Sequence, residues 1–201
     1  MHAFPAQLRT AIPARFTRSW IFACLALFVV GVPAAFGAVP VLPAIHGDFD
    51  LNTLDGREVT LADYRGKWLL VYFGYTFCPD VCPTVLTEIG GALKELGAKA
   101  DRVKVLFITV DPVRDTAPVM ARYLKAFDPR IQGLRGDPDS IELAAKSFHV
   151  YYRARSVGGG EYAIDHSSYV YVLNPKGKFV ELLAPDVPGH KMAEDVRKLI
   201  R

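Results

Sequence analysis

The sequence predicts an α/β domain in which a central mixed β-sheet is flanked by helices. Three observations lead to this fold class. Residues 68–75 form a continuous β-prone run, and residues 103–110 form a second, mainly apolar run, both of the kind found in buried central strands. Between them, apolar residues recur at helical spacing from Thr84 to Leu96. Turn-forming residues mark hairpins on either side of this core.

Strands are predicted where β-prone residues lie between turn signals. Asp55-Gly56 separates the first pair of strands, the triplet 158–160 separates a second pair, and the Asn-Pro-Lys-Gly segment 174–177 separates a third. In chain order, the predicted strands are 49–52, 58–60, 68–75, 103–110, 150–155, 161–164, 169–173 and 179–183.

Helices are predicted from apolar periodicity and from N-terminal capping signals. The predicted helices are 84–96, Asp115 or Thr116 to Phe127, Asp137-Pro138 to about Phe148, and 191–200. Strand, helix, strand, helix, then a terminal hairpin and helix is the order of a thioredoxin-like domain. The first hairpin is an N-terminal extension of that domain.

Composition limits which partners and which cysteines are relevant to function. The chain has 201 residues and a net charge of +3, which gives no reason to expect a nucleic-acid partner. Of its three cysteines, Cys24 lies within an apolar segment, where we interpret it as a small apolar residue. Only Cys78 and Cys82 remain for the folded domain.

The N-terminal segment, residues 1–37, is predicted to be a signal peptide or a membrane anchor. Three arginines precede the apolar run 20–36, and the first acidic residue is Asp48. The positive-inside rule places the rest of the chain outside the cytoplasm. We therefore expect a protein of the bacterial inner membrane facing the periplasm, or a periplasmic one if the segment is cleaved. A mitochondrial presequence is the alternative. Residues 38–47 are predicted to be a linker, and 48–201 the folded domain.

Cys78 and Cys82 are four residues apart and directly follow a predicted strand. On a helix this spacing brings two side chains to one face, within reach of a disulfide or of one metal ion. A helix N-terminus also favours thiolates. A purely structural disulfide is disfavoured, because so short a loop would stabilise the fold little.

Three segments resemble the motifs of the Sco/SenC family, in the same order as in that family. Residues 72–83 (YFGYTFCPDVCP) resemble its signature, residues 110–115 (VDPVRD) its second motif, and residues 165–167 (DHS) its third. The resemblance covers roughly residues 48–200.

The resemblance implies a membrane-tethered copper chaperone that takes part in building the dinuclear copper A centre of cytochrome c oxidase. The implied copper ligands are Cys78, Cys82 and His166. The implied partners are the copper A subunit of the oxidase or its assembly factors. Soft thiolates select Cu(I), and an added imidazole also suits Cu(II), so either oxidation state is expected. Structural zinc sites usually have four Cys or His ligands, and the domain has no further cysteine.

Two enzyme classes on the same fold remain as alternatives. A thiol–disulfide oxidoreductase would reduce client cysteines or sense redox state, but thioredoxins have two residues between their cysteines rather than three. Those reductases also have a substrate-binding cis-proline in the segment that corresponds to residues 165–171, and this segment contains no proline here. A peroxidase would need an arginine near its cysteine, and the sequence alone identifies none. We therefore expect a metallochaperone, with thiol exchange as an auxiliary activity.

Other polar residues of the motifs receive ordinary interpretations. Asp111 and Asp115 are predicted to form a turn after the second central strand and a helix cap. Asp80 is predicted to stabilise the following helix, because its negative charge interacts favourably with the positive N-terminal end of the helix dipole. His149 and His190 are interpreted as ordinary histidines.

Overall fold

A computed structural model of the protein describes residues 44–200. The strands are β1 (Asp50–Thr53), β2 (Glu58–Thr60), β3 (Trp68–Gly74), β4 (Val103–Thr109), β5 (Ile131–Arg135), β6 (Tyr152–Gly158), β7 (Glu161–His166), β8 (Val170–Leu173) and β9 (Phe179–Leu183). The α-helices are α1 (Val81–Leu96), α2 (Ala117–Leu124), α3 (Pro138–Ser147) and α4 (Gly189–Leu199). Short 3-10 helices cover Leu61–Tyr64 and Gly97–Arg102.

The main sheet has seven strands in the order β2-β1-β5-β4-β3-β8-β9. Strands β3, β4 and β5 are parallel, and the remaining pairings are antiparallel. The β1–β2 hairpin extends the sheet beyond β5. This mixed sheet with its flanking helices and N-terminal hairpin confirms the predicted thioredoxin-like fold. Strands β6 and β7 form a separate two-stranded sheet.

The core lies around the central strands, as their continuous apolar sequences predict. Every residue of β3 after Trp68 is buried. The rings of Phe73, Phe148 and Tyr171 pack edge to face against one another, with centroids 5.2 to 6.1 Å apart. These contacts join β3 to α3 and to β8, so the sheet and the helix are packed as one body.

Strand β5 is the strand that the sequence did not predict, and the two short 3-10 helices were not predicted either. The sequence of β5, IQGLR, contains a glycine, which normally weakens a strand. The structure explains that residue, because a Cβ on Gly133 would lie 2.8 Å from Leu124 Cδ1 and 3.0 Å from Leu54 Cδ1. The glycine is therefore required by packing between distant segments.

Several element boundaries differ from the prediction, and two of the differences affect function. Helix α1 begins at Val81 rather than at residue 84, so Cys82 lies in its first turn. Strand β7 continues to His166 rather than ending at residue 164. Helix α2 is shorter than predicted and ends at Leu124.

The predictions for residues 1–37 and for the first part of the linker lie outside the described residues. Within residues 44–200, no helix is both long and apolar enough to cross a membrane. His46 and Gly47 both donate backbone hydrogen bonds to the carbonyl oxygen of Ser147. The chain is thus attached to the end of α3 before β1 begins.

Helices α1 and α4 approach closely at Gly189, and this contact gives a test of the packing. A Cβ on Gly189 would lie 2.6 Å from Glu88 O and 3.1 Å from Ala92 N, so the Gly189→Ala substitution should force the helices apart. We expect it to lower the free energy of unfolding by about 1–3 kcal/mol. Gly91→Ala is the matched control, because its Cβ would lie 3.9 Å from Gly189 Cα.

Gly91 lies inside α1, so alanine there should be neutral or should stabilise by up to about 1 kcal/mol. Urea unfolding of the two variants measures both effects. Equal stability of Gly189→Ala and the wild type would show that the interface is looser than described.

Candidate metal centre

Three potential metal-ligand atoms converge beside the C-terminal end of β3. They are the sulfur atoms of Cys78 and Cys82 and a ring nitrogen of His166, and all lie within 4.8 Å of one another. Cys82 is fully buried, Cys78 is 8% exposed, and His166 is partly exposed. Among the described residues this is the one group of three or more such side chains close enough to share an ion. His149 and His190 do not belong to it.

Cys78 lies in the turn between β3 and α1, not on the helix. Its backbone N–H donates to Tyr75 O at 3.3 Å, and its sulfur accepts from the backbone N–H of Cys82 at 3.4 Å. The two cysteines are therefore not brought together by helical spacing, because only Cys82 lies on the helix. The sulfurs still converge, because Cys78 Sγ folds back over the helix N-terminus and occupies the place of a cap. Asp80, at the cap position, makes no side-chain capping bond.

Gly74 makes room for the sulfur of Cys82. A Cβ at this position would lie 2.9 Å from Cys82 Sγ, 2.9 Å from Phe107 Cε2 and 3.2 Å from Tyr72 Cε1. These distances are shorter than any ordinary contact of carbon with carbon or sulfur. The last residue of β3 therefore has to be glycine for α1 to bring its cysteine against the sheet.

His166 reaches the thiols from the end of β7. Its Nε2 lies 3.4 Å from Cys82 Sγ, and its Nδ1 lies 3.0 Å from Ser167 O. A carbonyl oxygen can only accept, so we infer that Nδ1 carries a proton and that Nε2 is the ring nitrogen directed at the sulfurs. The Tyr75 ring packs edge-on against the imidazole, with the two ring centroids 5.7 Å apart, and this contact further restricts the orientation of the imidazole. This is the orientation that a metal-ligating histidine requires.

The two thiols differ sharply in acidity. A hydrogen bond from Cys82 lowers the pKa of Cys78 to about 4 against the effect of burial, and the His166 side chain and the backbone N–H groups of Asp80 and Cys82 contribute to this lowering. The same interaction with Cys78, together with burial, raises the pKa of Cys82. In the reduced, metal-free protein these opposite shifts favour a thiolate at Cys78 and a thiol at Cys82.

Asp115 fixes the turn that carries Cys78. Its carboxylate is fully buried and accepts from Thr76 N at 3.0 Å, Thr76 Oγ1 at 2.5 Å and Thr109 Oγ1 at 2.6 Å. Burial raises the pKa of this carboxyl, although the hydrogen bonds oppose the effect. Of the two predicted cap positions for α2, Asp115 and Thr116, the structure uses Thr116, whereas the Asp115 side chain is buried.

Asp111 and Arg114 hold the β6–β7 hairpin, a role that sequence reasoning did not assign. The buried Asp111 carboxylate pairs with Arg114 Nε and accepts from Tyr162 Oη at 2.8 Å. Arg114 Nη1 donates to Tyr162 O at 2.8 Å. Arg114 Cζ also lies 4.8 Å from the ring centroid of Phe77, the residue before Cys78. The sequence identified no arginine near the cysteines; the signal was the VDPVRD segment itself.

The donor set suits copper. The two sulfurs and the imidazole nitrogen lie within 4.8 Å of one another. A metal–sulfur bond is about 2.3 Å long in zinc sites, so two ligand atoms on opposite sides of one ion would be about twice that distance apart. The three atoms are therefore close enough to bind a single ion. Such soft ligands favour Cu(I), and the imidazole extends the range to Cu(II). Neither cysteine forms a disulfide in this structure, so both sulfurs are free to bind.

Comparison with known proteins places this arrangement in a family. The family model described as SCO1/SenC matches residues 40–201. The mouse (Mus musculus) protein named "Protein SCO2 homolog, mitochondrial" is 39% identical over 158 residues, which cover 77% of this chain and 62% of the mouse protein. The chain thus spans less than two thirds of that relative.

Two solved structures are similar over nearly their whole length. One is Bradyrhizobium japonicum ScoI with copper bound, at 41% identity and a TM-score of 0.72, covering 77% of this chain and 99% of that one. The other is Arabidopsis thaliana ScoI with copper bound, at 36% identity and a TM-score of 0.74, covering 79% and 99%. The residues matched by the family model, 40–201, contain all three converging side chains.

The unequal acidity of the thiols predicts unequal reactivity. In a Cys24→Ser background, iodoacetamide should alkylate Cys78 well before Cys82, because only a thiolate attacks and Cys82 is protonated and fully buried. The pKa of Cys78 lies below the ordinary thiol value, so its rate should vary little between about pH 6 and about pH 8. Peptide-resolved mass spectrometry measures both sites. A Cys78 rate that rises tenfold per pH unit through this window would contradict the assignment.

Proposed function

The chain belongs to the SCO1/SenC family, and we propose that it is a copper chaperone that delivers copper to the copper A site of cytochrome c oxidase. The observation that carries this proposal is the convergence of Cys78, Cys82 and His166 within 4.8 Å. We propose these three side chains as the copper ligands. Copper is the cargo of the protein rather than a resident cofactor.

The chemistry of the three residues supports loading and release. The Cys78 thiolate is already formed in the reduced protein, so an incoming Cu(I) ion displaces only the Cys82 proton. The His166 Nε2 lone pair then completes a three-ligand set, and this set also suits Cu(II). Three protein ligands leave room for a ligand from a partner, which a transfer between proteins requires.

The relatives support copper as the cargo. The two solved structures named above contain bound copper and are 41% and 36% identical to this chain. The role of the family also indicates which proteins would receive the copper. We propose the copper A subunit of cytochrome c oxidase, or the factors that assemble it, as the recipient.

We further propose that the domain lies outside the cytoplasm, at the bacterial inner membrane facing the periplasm, or free in the periplasm if the N-terminal segment is cleaved. Support comes from the three arginines that precede the apolar run 20–36. A reporter fused after Arg201 should be active only on the far side of the membrane. Activity of a reporter restricted to the cytoplasm at the same position would refute this topology.

Copper binding tests the ligand set. The reduced protein should bind one copper ion, and Cys78→Ala, Cys82→Ala and His166→Ala should each weaken binding. The loss should be at least tenfold, about 1.4 kcal/mol or more. His190→Ala is the matched control, because it lies outside the cluster and should bind as the wild type does. Competition titration and absorption spectra measure these effects. Wild-type affinity and spectrum in His166→Ala would rule out the three-ligand site.

Transfer separates a metal donor from a reductase. Oxidation of Cys78 and Cys82 to a disulfide should abolish Cu(I) binding, because it removes the thiolates. Copper should pass to a soluble copper A domain from the wild type but not from Cys78→Ser or Cys82→Ser. Efficient reduction of insulin disulfides without any copper transfer would instead identify a thiol–disulfide oxidoreductase.

A further inference from the structure

His166 lies on a hairpin that stands apart from the main sheet. Strands β6 and β7 pair only with each other, and residues 153–158 of β6 are all exposed. The hairpin therefore gains no rigidity from the hydrogen-bond ladder that holds the other strands. Whatever fixes His166 relative to the thiols has to act through side chains of β7 or through the ends of the hairpin.

One face of β7 supplies those contacts. Tyr162, Ile164 and His166 alternate along the strand and so point to the same side. The Ile164 side chain is buried, and its backbone N–H donates to Tyr75 Oη at 3.2 Å. The Tyr162 hydroxyl donates to the buried Asp111 carboxylate at 2.8 Å. Three consecutive inward positions of β7 thus meet the body of the domain.

Arg114 lies at the centre of this contact. Its guanidinium stacks on the Tyr162 ring, with Cζ 3.6 Å from the centroid, while Nη1 donates to Tyr162 O at 2.8 Å. Its Nε pairs with Asp111 on one side, and its Cζ lies 4.8 Å from the Phe77 ring centroid on the other. One planar cation therefore touches both the residue before Cys78 and the residue four before His166.

We propose that Arg114 is a positioning residue that clasps β7 against the cysteine turn and so sets where His166 stands relative to Cys78 and Cys82. The inference rests on the proposed copper function and deepens it. The two thiolates are the softer ligands and favour Cu(I), whereas the imidazole is the ligand that also suits Cu(II). Loss of the clasp should therefore weaken Cu(II) binding more than Cu(I) binding.

The test uses the purified full-length protein and three variants of the clasp. Arg114→Gln removes the positive charge. Arg114→Lys keeps the charge but loses the planar guanidinium group and its set of N–H donors. Tyr162→Leu removes the stacked ring while keeping the ion pair of Asp111 and Arg114. Arg153→Gln is the matched control, because it removes an exposed arginine from the same hairpin. Tyr162→Leu keeps the proposal testable if loss of the partner of Asp111 prevents Arg114→Gln from folding.

All three clasp variants should lower Cu(II) affinity about tenfold or more, which is the usual effect of removing an outer partner of a metal ligand. Their Cu(II) absorption bands should shift toward those of His166→Ala, and their Cu(I) affinity should fall by a smaller factor than their Cu(II) affinity. Hydrogen exchange at residues 161–166 should accelerate. Arg153→Gln should match the wild type in every measurement.

Two results would overturn the clasp. One is wild-type Cu(II) affinity, spectrum and hydrogen exchange in Arg114→Gln and Tyr162→Leu. The other is wild-type behaviour of Arg114→Lys, which would mean that charge alone is needed. Failure of the wild type to bind any copper would refute the proposed function instead. Faster exchange at residues 161–166 in Arg114→Gln, but not in Arg153→Gln, would still support the clasp.

Discussion

The buried carboxylate of Asp115 is the interaction on which the geometry of the centre depends. It is fully buried and accepts hydrogen bonds from Thr76 and Thr109. Burying a charge without such donors would be costly, so the turn after β3 has to remain where it supplies them. The turn that carries Cys78 is thereby fixed to the ends of both central strands. Glycine at position 74 then lets Cys82 approach the same point from α1.

The centre combines two parts that are attached to the domain in different ways. The cysteines belong to the packed body, since Cys82 lies on the helix that packs against α4 at Gly189. His166 belongs to a hairpin outside the main sheet, held by Arg114, Asp111 and Tyr75. The copper carrier that we propose would have to bind its cargo and then release it. Two thiols in the packed body and an imidazole on a separately held hairpin fit both demands, because the main sheet does not depend on the strands that carry His166.

The fold was largely predictable, because most of its signals are local. Continuous apolar runs identified β3 and β4, and turn residues identified the three hairpins. The misses have tertiary causes. Strand β5 was not predicted, because glycine is unfavourable in a strand. Gly133 is nevertheless required there, since a larger side chain would collide with Leu124 and Leu54. The start of α1 was placed late, because the N–H group of Cys82 in its first turn donates to the sulfur of Cys78, and no recognisable capping side chain is present.

The sequence by itself determined the donor set and its family resemblance: two cysteines after a buried strand, and one histidine in a later motif. Only the tertiary structure decided which thiol is ionised, that Cys78 lies before the helix, and what Asp111, Arg114 and Asp115 do. The physical reason is the range of the interactions. Periodicity and turn chemistry report on neighbours along the chain, whereas Asp115 bonds Thr76 from 39 residues away and Arg114 bonds Tyr162 from 48. Such contacts exist only once the sheet has brought these segments together.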